Sequence, residues 1–259
     1  MSVFSDYARY YDLLYRDKDY MGETKFIHDL IQIHAPQSKT ILELGCGTGN
    51  HALLLAEEGY HLHGVDLSQE MLVRANQRLA QLSSDLRYCL QFSHGDIREV
   101  RLNQTFDIIL SLFHVISYQT TNADLLAAFN TAKSHLIPGG FFIFDVWYGP
   151  AVLNNQPVAR IKRLENEAIQ VTRIAEPILY PNENLVDVNY QVFIREKNSN
   201  KVSEVQEKHR MRYLFKQELD LLLKLSGLRL LDFSEWMTGA EASINSWGVC
   251  CVAQNELPE

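Results

Sequence analysis

Thr40-Ile41-Leu42-Glu43-Leu44-Gly45-Cys46-Gly47-Thr48-Gly49-Asn50 is the stretch whose reading decides the fold. An apolar run short enough for a buried strand meets three glycines at alternate positions, and a helical pattern from His51 to Glu58 follows at once. Glycines at a strand-to-helix turn let the backbone bend sharply and let a ligand lie against bare amides. The helix N-terminus behind them favours an anionic group such as a carboxylate. A second apolar stretch ends at Asp66, close to the offset of about 20 residues at which an acidic side chain meets a ribose. The frame is that of a nucleoside cofactor site.

The glycine spacing narrows the choice of nucleoside. Dinucleotide sites use G-x-G-x-x-G, whereas Gly45, Gly47 and Gly49 give G-x-G-x-G. Glu43 stands at the strand end, where a dinucleotide would place its pyrophosphate. A carboxylate there repels phosphate and attracts an ammonium group. Glu43-Leu44-Gly45-Cys46-Gly47-Thr48-Gly49-Asn50 resembles motif I of the class I S-adenosylmethionine methyltransferases. That resemblance implies S-adenosylmethionine as cofactor and demotes a nicotinamide oxidoreductase to the weakest rival.

Outward from this motif, apolar strands are expected at 40–45, 61–66, 89–94, 106–111 and 140–146. Helices fall between them at 49–58, 68–81 and 122–136, with Ser68 as an N-cap. This alternation predicts an α/β fold, a Rossmann-like, doubly wound, seven-stranded and mostly parallel sheet. Pro138-Gly139-Gly140 is expected to end the third helix and start the next strand. After Trp147 the period changes to two, most clearly in Val186 to Ile194, so 150–215 reads as a small antiparallel β insertion. Asn198-Ser199-Asn200 is its hairpin turn. A helix at 216–226 and strands near 228–235 and 246–253 return the chain to the main sheet. The expected organisation is thus a cofactor domain, 1–149 with 216–259, and a substrate cover, 150–215, with 1–38 as an N-terminal helical lid.

The chain of 259 residues is long enough for one such domain with its insertion. A hydrophobic share of 46% with 22% charged residues is that of an ordinary globular protein. A net charge of −8 argues against nucleic acid as a partner. Cys46, Cys89, Cys250 and Cys251 show no metal-ligand spacing, and the last two read as small buried hydrophobes. No basic-then-apolar leader opens the sequence, and no apolar run reaches the ~18 residues of a membrane span. The expectation is a cytoplasmic monomer or homodimer with a small-molecule substrate, without metal or membrane.

Methyl transfer from a sulfonium is an in-line displacement, so roles fall mainly on residues that hold donor and acceptor. The resemblance to the methyltransferases implies that Glu43 and the backbone of Gly45, Gly47 and Gly49 hold the amino-acid end of the cofactor. Asp66 has lone pairs for both ribose hydroxyls. Leu67, Met71 and Ile97 are expected along the adenine, with Asp96 on its amino group. Leu112 and Phe113 run under the sulfonium, where an aromatic face suits a cation. Tyr15, Tyr118 and His114 are the candidates for taking a proton from an acceptor. Tyr7, Tyr10, Tyr11, Tyr15 and Tyr20 crowd the N-terminus and suggest a segment that folds over a ligand, Tyr15 and Tyr20 foremost. Lys208, Arg210 and Arg212 alternate along one strand and offer a row for an anionic substrate group.

Tyr11-Asp12-Leu13-Leu14-Tyr15-Arg16-Asp17-Lys18-Asp19-Tyr20, with Ser111-Leu112-Phe113, Asp145-Val146-Trp147-Tyr148-Gly149-Pro150 and Tyr213-Leu214-Phe215, is similar to the N,N-dimethyltransferases of nucleotide-linked amino sugars, those that finish desosamine and mycaminose. The likeness implies cofactor contacts from Tyr15, Asp66, Asp96 and Leu112, and places Tyr118 near the reacting amine. One departure stands out: an Arg that helps bind the nucleotide phosphate in that family has no counterpart in Asn245-Ser246-Trp247-Gly248. The function expected is N-methylation of an amine such as an amino sugar. O- or C-methylation of another metabolite and a non-catalytic cofactor-binding protein are the alternatives. DNA amino-methylation is disfavoured, because Ser111-Leu112-Phe113-His114 replaces the Asn/Asp-Pro-Pro-aromatic motif.

Overall fold

The computed structural model describes residues 7–256, with the side chains of residues 7–9 and 12 left out; the expectation for the ring of Tyr7 therefore lies outside the described residues. Seven strands form the body: β1 (Thr40–Leu44), β2 (His61–Asp66), β3 (Leu90–His94), β4 (Phe106–Ser111), β5 (Leu136–Tyr148), β10 (Leu228–Glu235) and β11 (Gly248–Asn255). Their order is β3-β2-β1-β4-β5-β11-β10, parallel except for β11, which runs antiparallel to both neighbours. Alternate residues of β1 feed opposite faces. Leu42 and Leu44 join α6 (Asn122–His135) and α8 (Lys216–Leu225) in one buried cluster. Ile41 joins α2 (Tyr20–His34) and α3 (Asn50–Glu57) in the other. This is the two-sided burial that makes parallel strands read as continuous apolar runs.

The loops that carry chemistry leave the carboxyl ends of the strands. Gly45 and Gly47 take positive φ, +82° and +54°, in the turn after β1. Asp66 ends β2, and Ser68 caps α4 (Gln69–Leu79) by accepting from the Met71 amide at 3.3 Å. Pro138 and Gly139 do not mark the start of the strand as expected; they lie inside it. The strand already begins at Leu136, paired with Phe106, and shifts register before Ile108 meets Phe141. A register shift tolerates a residue without an N–H and a glycine at φ +79°.

The insertion is a four-stranded antiparallel meander, β6 (Arg160–Glu165), β7 (Ile169–Tyr180), β8 (Leu185–Glu196) and β9 (Val202–Leu214). Trp147 and Tyr148 of β5 pair in parallel with Tyr213 and Leu214 of β9, so the insertion is sewn onto the carboxyl end of an interior strand, beyond the end of β4. Strand β6 was not expected: its mostly exposed, charge-rich sequence reads as loop, yet such residues suit an exposed edge strand. The short helices α5 (Ser84–Tyr88) and α7 (Gly149–Asn154) were also not expected, being too brief to show a period. α1 (Tyr7–Leu14) is clamped between body and insertion, with Tyr10, Leu13 and Leu14 packed on Met71 of α4 and on Val171, Val192 and Ile194. Among the described residues, no helix is long and apolar enough to cross a membrane.

Candidate active site

One cavity of about 390 Å³ opens where the carboxyl ends of β1, β2, β4 and β5 meet the N-terminal helices and the inner face of the insertion. Its lining brings together Tyr15, Glu43, Gly45, Gly47, Asp66, Leu67, Met71, Asp96, Ile97, Leu112, Phe113, His114 and Tyr118, all singled out above. Gly49 is not among them. It is the left-handed N-cap of α3, φ +76°, and a Cβ there would lie 2.8 Å from the Phe92 ring. The left-handed backbone and the close helix–strand packing favour glycine at that position.

Glu43 is 1% exposed, and its Oε2 has no hydrogen-bond partner among the described residues. Burial first, then the neighbouring Asp66 carboxylate, pushes its pKa up to about 8. On one side lies His51 Nδ1 at 3.7 Å; His51 Nε2 in turn meets Glu23 at 2.7 Å, and Glu23 pairs with Lys18. None of Lys18, Glu23 or His51 is singled out from sequence, because they come from the turn before α2, from α2 and from α3, and meet only when these pack beside β1. Asp66 accepts the Gly47 amide at 2.7 Å and the Ser68 amide at 2.8 Å, one on each oxygen. Those bonds oppose the upward pull of its burial and fix the carboxylate against the glycine turn.

The segment after β4 stores strain. Phe113 and His114 both hold positive φ, +66° and +63°, which side chains rarely adopt. Asp145, 1% exposed on β5, holds them there: it accepts the His114 amide at 3.1 Å, and its Oδ2 lies 2.6 Å from His114 Nδ1. Tyr15 meets the Phe113 ring edge-on at 5.1 Å, and the Lys18 ammonium sits 4.5 Å above the same ring. An aromatic face expected to suit a cation thus already carries one. Tyr11 and Tyr20 complete the tyrosine wall.

Two expectations change. Asp96 is gripped by Arg98 through Nη2 at 2.6 Å and Nε at 3.0 Å, and Arg98 reaches on to Asp124. The guanidinium holds the Asp96 carboxyl below its usual range and occupies much of its accepting capacity. The cationic row does not face the cavity. Lys208 and Arg210 both bind buried Asp187, while Arg212 binds Glu218 and Asn122. The lining takes His209 and Met211, from the opposite face of β9. Period two forbids adjacent residues from sharing a face, and only the strand register shows which set points inward.

These residues fit a methionine-derived nucleoside. A buried carboxylate oxygen lacking a partner suits an ammonium, the amide-lined glycine turn suits a carboxylate, and Asp66 keeps lone pairs for a diol. Residues 41–140 match the family described as methyltransferase domain. Over 228 residues, 87% of this chain and 91% of the relative, the chain is 29% identical to the dTDP-3-amino-3,4,6-trideoxy-alpha-D-glucopyranose N,N-dimethyltransferase of Streptomyces venezuelae. It is 26% identical, over 90% of itself and 86% of the relative, to the dTDP-3-amino-3,6-dideoxy-alpha-D-glucopyranose N,N-dimethyltransferase of Streptomyces fradiae. The fold superposes with a TM-score of 0.79 on a S-adenosylmethionine-dependent methyltransferase from Clostridium acetobutylicum ATCC 824, 23% identical, covering 98% of this chain and 99% of that one. The fold is that of the class I methyltransferases. With the matched domain and its relatives, the chain is a S-adenosylmethionine-dependent methyltransferase.

Proposed function

We propose that the enzyme methylates the nitrogen of a small amine, an amino sugar being the leading class. One observation carries the reading. Beyond Phe113 the cavity is walled by Tyr15, Tyr118, Tyr190 and Trp147, and among the described residues Arg98, beside Asp96, is the one Lys or Arg that lines it. Lys18 and Arg173 stack on the Phe113 and Tyr190 rings but do not line the cavity, so an aromatic lining whose one arginine is already bound to Asp96 favours an amine over a phosphate. The relatives named above, which act on amino sugars linked to dTDP, support the amine. The missing C-terminal Arg supports an acceptor held by its amine end.

In this reading Glu43 takes the cofactor's ammonium, and the Gly45 and Gly47 backbone takes its carboxylate. Asp66 takes the ribose, while Leu67, Met71 and Ile97 enclose the base. Asp96 meets the base only with the accepting capacity that Arg98 leaves. Leu112 and the strained Phe113 lie under the sulfur. When bound, the cofactor supplies a methyl group whose bond to sulfur breaks as the acceptor's lone pair forms the new bond. The chain's residues align the two partners and exclude water.

The test has two arms. Calorimetry with S-adenosylhomocysteine first fixes the cofactor site. A panel of small amines, amino-sugar nucleotides and matched alcohols, followed by S-adenosylhomocysteine release, then sorts the acceptor. Turnover confined to amines is the expected result; turnover only with the alcohols overturns it.

A further inference from the structure

We infer that His209, which faces the acceptor end of the cavity on the inner side of β9, is the proton acceptor of the reaction, reached through Tyr118 and oriented by Glu207. This rests on the amine reading above and adds the residues that make the amine reactive. The geometry is a chain of four groups from three elements: a 3-10 turn, β9 and α1. Tyr118, in the 3-10 turn Ile116–Tyr118, has its hydroxyl 2.7 Å from His209 Nδ1. His209 Nε2 lies 3.4 Å from Glu207 Oε2, two residues back on the same strand face. Tyr10 of the lid helix donates its hydroxyl to that same Oε2 at 2.7 Å.

Both members of the strand pair are buried, His209 at 3% and Glu207 at 7% exposure, and Glu207 Oε1 has no hydrogen-bond partner among the described residues. A buried carboxylate beside an imidazole stabilises the imidazolium and sets its tautomer. The groups facing the pair from other elements are Tyr10, Tyr118, Tyr190 edge-on to the His209 ring at 5.0 Å, and Arg173, stacked 4.6 Å over the Tyr190 ring. Tyr118 and His209 both line the cavity, whereas Glu207 does not, so Glu207 is a positioning residue.

The step balances without a further reactant. The acceptor arrives as an ammonium, and one N–H proton passes to the Tyr118 oxygen as Tyr118 hands its own hydroxyl proton to His209 Nδ1. No phenolate forms. His209 becomes an imidazolium facing Glu207, and the nitrogen keeps the lone pair with which it attacks the methyl group. The methylated product leaves as an ammonium, and His209 returns its proton to water. The direction requires neutral His209 to carry its hydrogen on Nε2, toward Glu207, leaving Nδ1 to accept.

Ring-15N histidine NMR on the full chain with S-adenosylhomocysteine tests this without any acceptor, the His209 signals being assigned by their loss in His209→Asn. The Nε2–H tautomer is expected, with Glu207→Gln raising the share of the Nδ1–H form. The Nδ1–H tautomer in the unsubstituted chain, or a tautomer balance indifferent to Glu207, overturns the proposal. With the best amine of the panel, His209→Asn and Tyr118→Phe are expected to lower kcat about 100-fold at neutral pH, with S-adenosylhomocysteine affinity unchanged. The deficit should shrink as rising pH delivers the amine already neutral. A pH-independent deficit, or the same signature from His114→Asn in place of His209→Asn, also overturns it. Should no amine be turned over, the amine reading fails, while the tautomer still decides whether His209 can accept.

Discussion

The two sides of the cavity are built by opposite strategies. On the cofactor side, Glu43, Gly45, Gly47 and Asp66 sit at the ends of adjacent parallel strands, within 24 positions of one another. Their geometry follows from a strand, a turn and a helix that are neighbours in sequence. On the acceptor side, Tyr118 meets His209 across 91 positions and Tyr10 meets Glu207 across 197. Nothing local holds those pairs together; the register of β8 and β9 and the docking of α1 do. Binding a common cofactor is therefore a local property of this chain, and choosing an acceptor is a property of its assembly.

Each side can be challenged in turn. The largest expected effect is on folding: Gly49→Ala places a Cβ 2.8 Å from the Phe92 ring at φ +76°, and about 3 kcal/mol of stability is expected to be lost through strain and overpacking. Denaturant titration reads this, and a loss well under 1 kcal/mol would mean the turn is less rigid than the comparison requires. Asp66→Ala comes next. It is expected to weaken S-adenosylhomocysteine binding at least tenfold, about 1.4 kcal/mol, and unchanged affinity would take Asp66 out of the cofactor half.

Glu43 gives a third, pH-dependent test. Its carboxyl, pushed up to about 8, is mainly protonated at pH 7 in the ligand-free protein. Pairing with an ammonium requires the carboxylate, so binding is expected to release close to one proton at pH 7 and to tighten as pH rises toward 8. Calorimetry in buffers of different ionisation enthalpy measures the release; none at all would break the pairing. The same shift means the free protein loses stability as pH rises from the ordinary carboxylate range through 8, since the folded state keeps a proton that the unfolded chain gives up.

The smallest effect is expected outside the cavity. Arg210→Ala removes one of the two cations on Asp187 and leaves Lys208 in place. The half-exposed guanidinium is screened by solvent and contributes little to stability, and turnover is expected to stay within twofold. A large rise in KM for an anionic acceptor would restore the cationic row to the acceptor half.

The legible part of the site was the part set by short-range rules. Positive φ at Gly45 and Gly47, the Ser68 cap and the position of Asp66 all follow from residue types a few places apart. Arg98 escaped notice because Asp96-Ile97-Arg98 looks like an ordinary turn until the guanidinium is seen to close on the carboxylate. Asp145 escaped because its task, holding Phe113 and His114 in strained backbone, depends on β4 and β5 lying side by side. The alternation in β9 was readable, but the inward face was not, and the charged set drew attention from His209. Strand β6 was invisible because an exposed edge strand needs no apolar period.

By itself the sequence determined the doubly wound body, the glycine turn and the class of cofactor, since hydrophobic period and glycine placement act over a few residues and leave little choice. Tertiary structure alone decided which face of the insertion looks inward, which carboxylates are spent on arginines, and which tyrosine meets which histidine. Those outcomes depend on strand register and helix docking, where one residue of slip reverses every side chain and no local preference records the result.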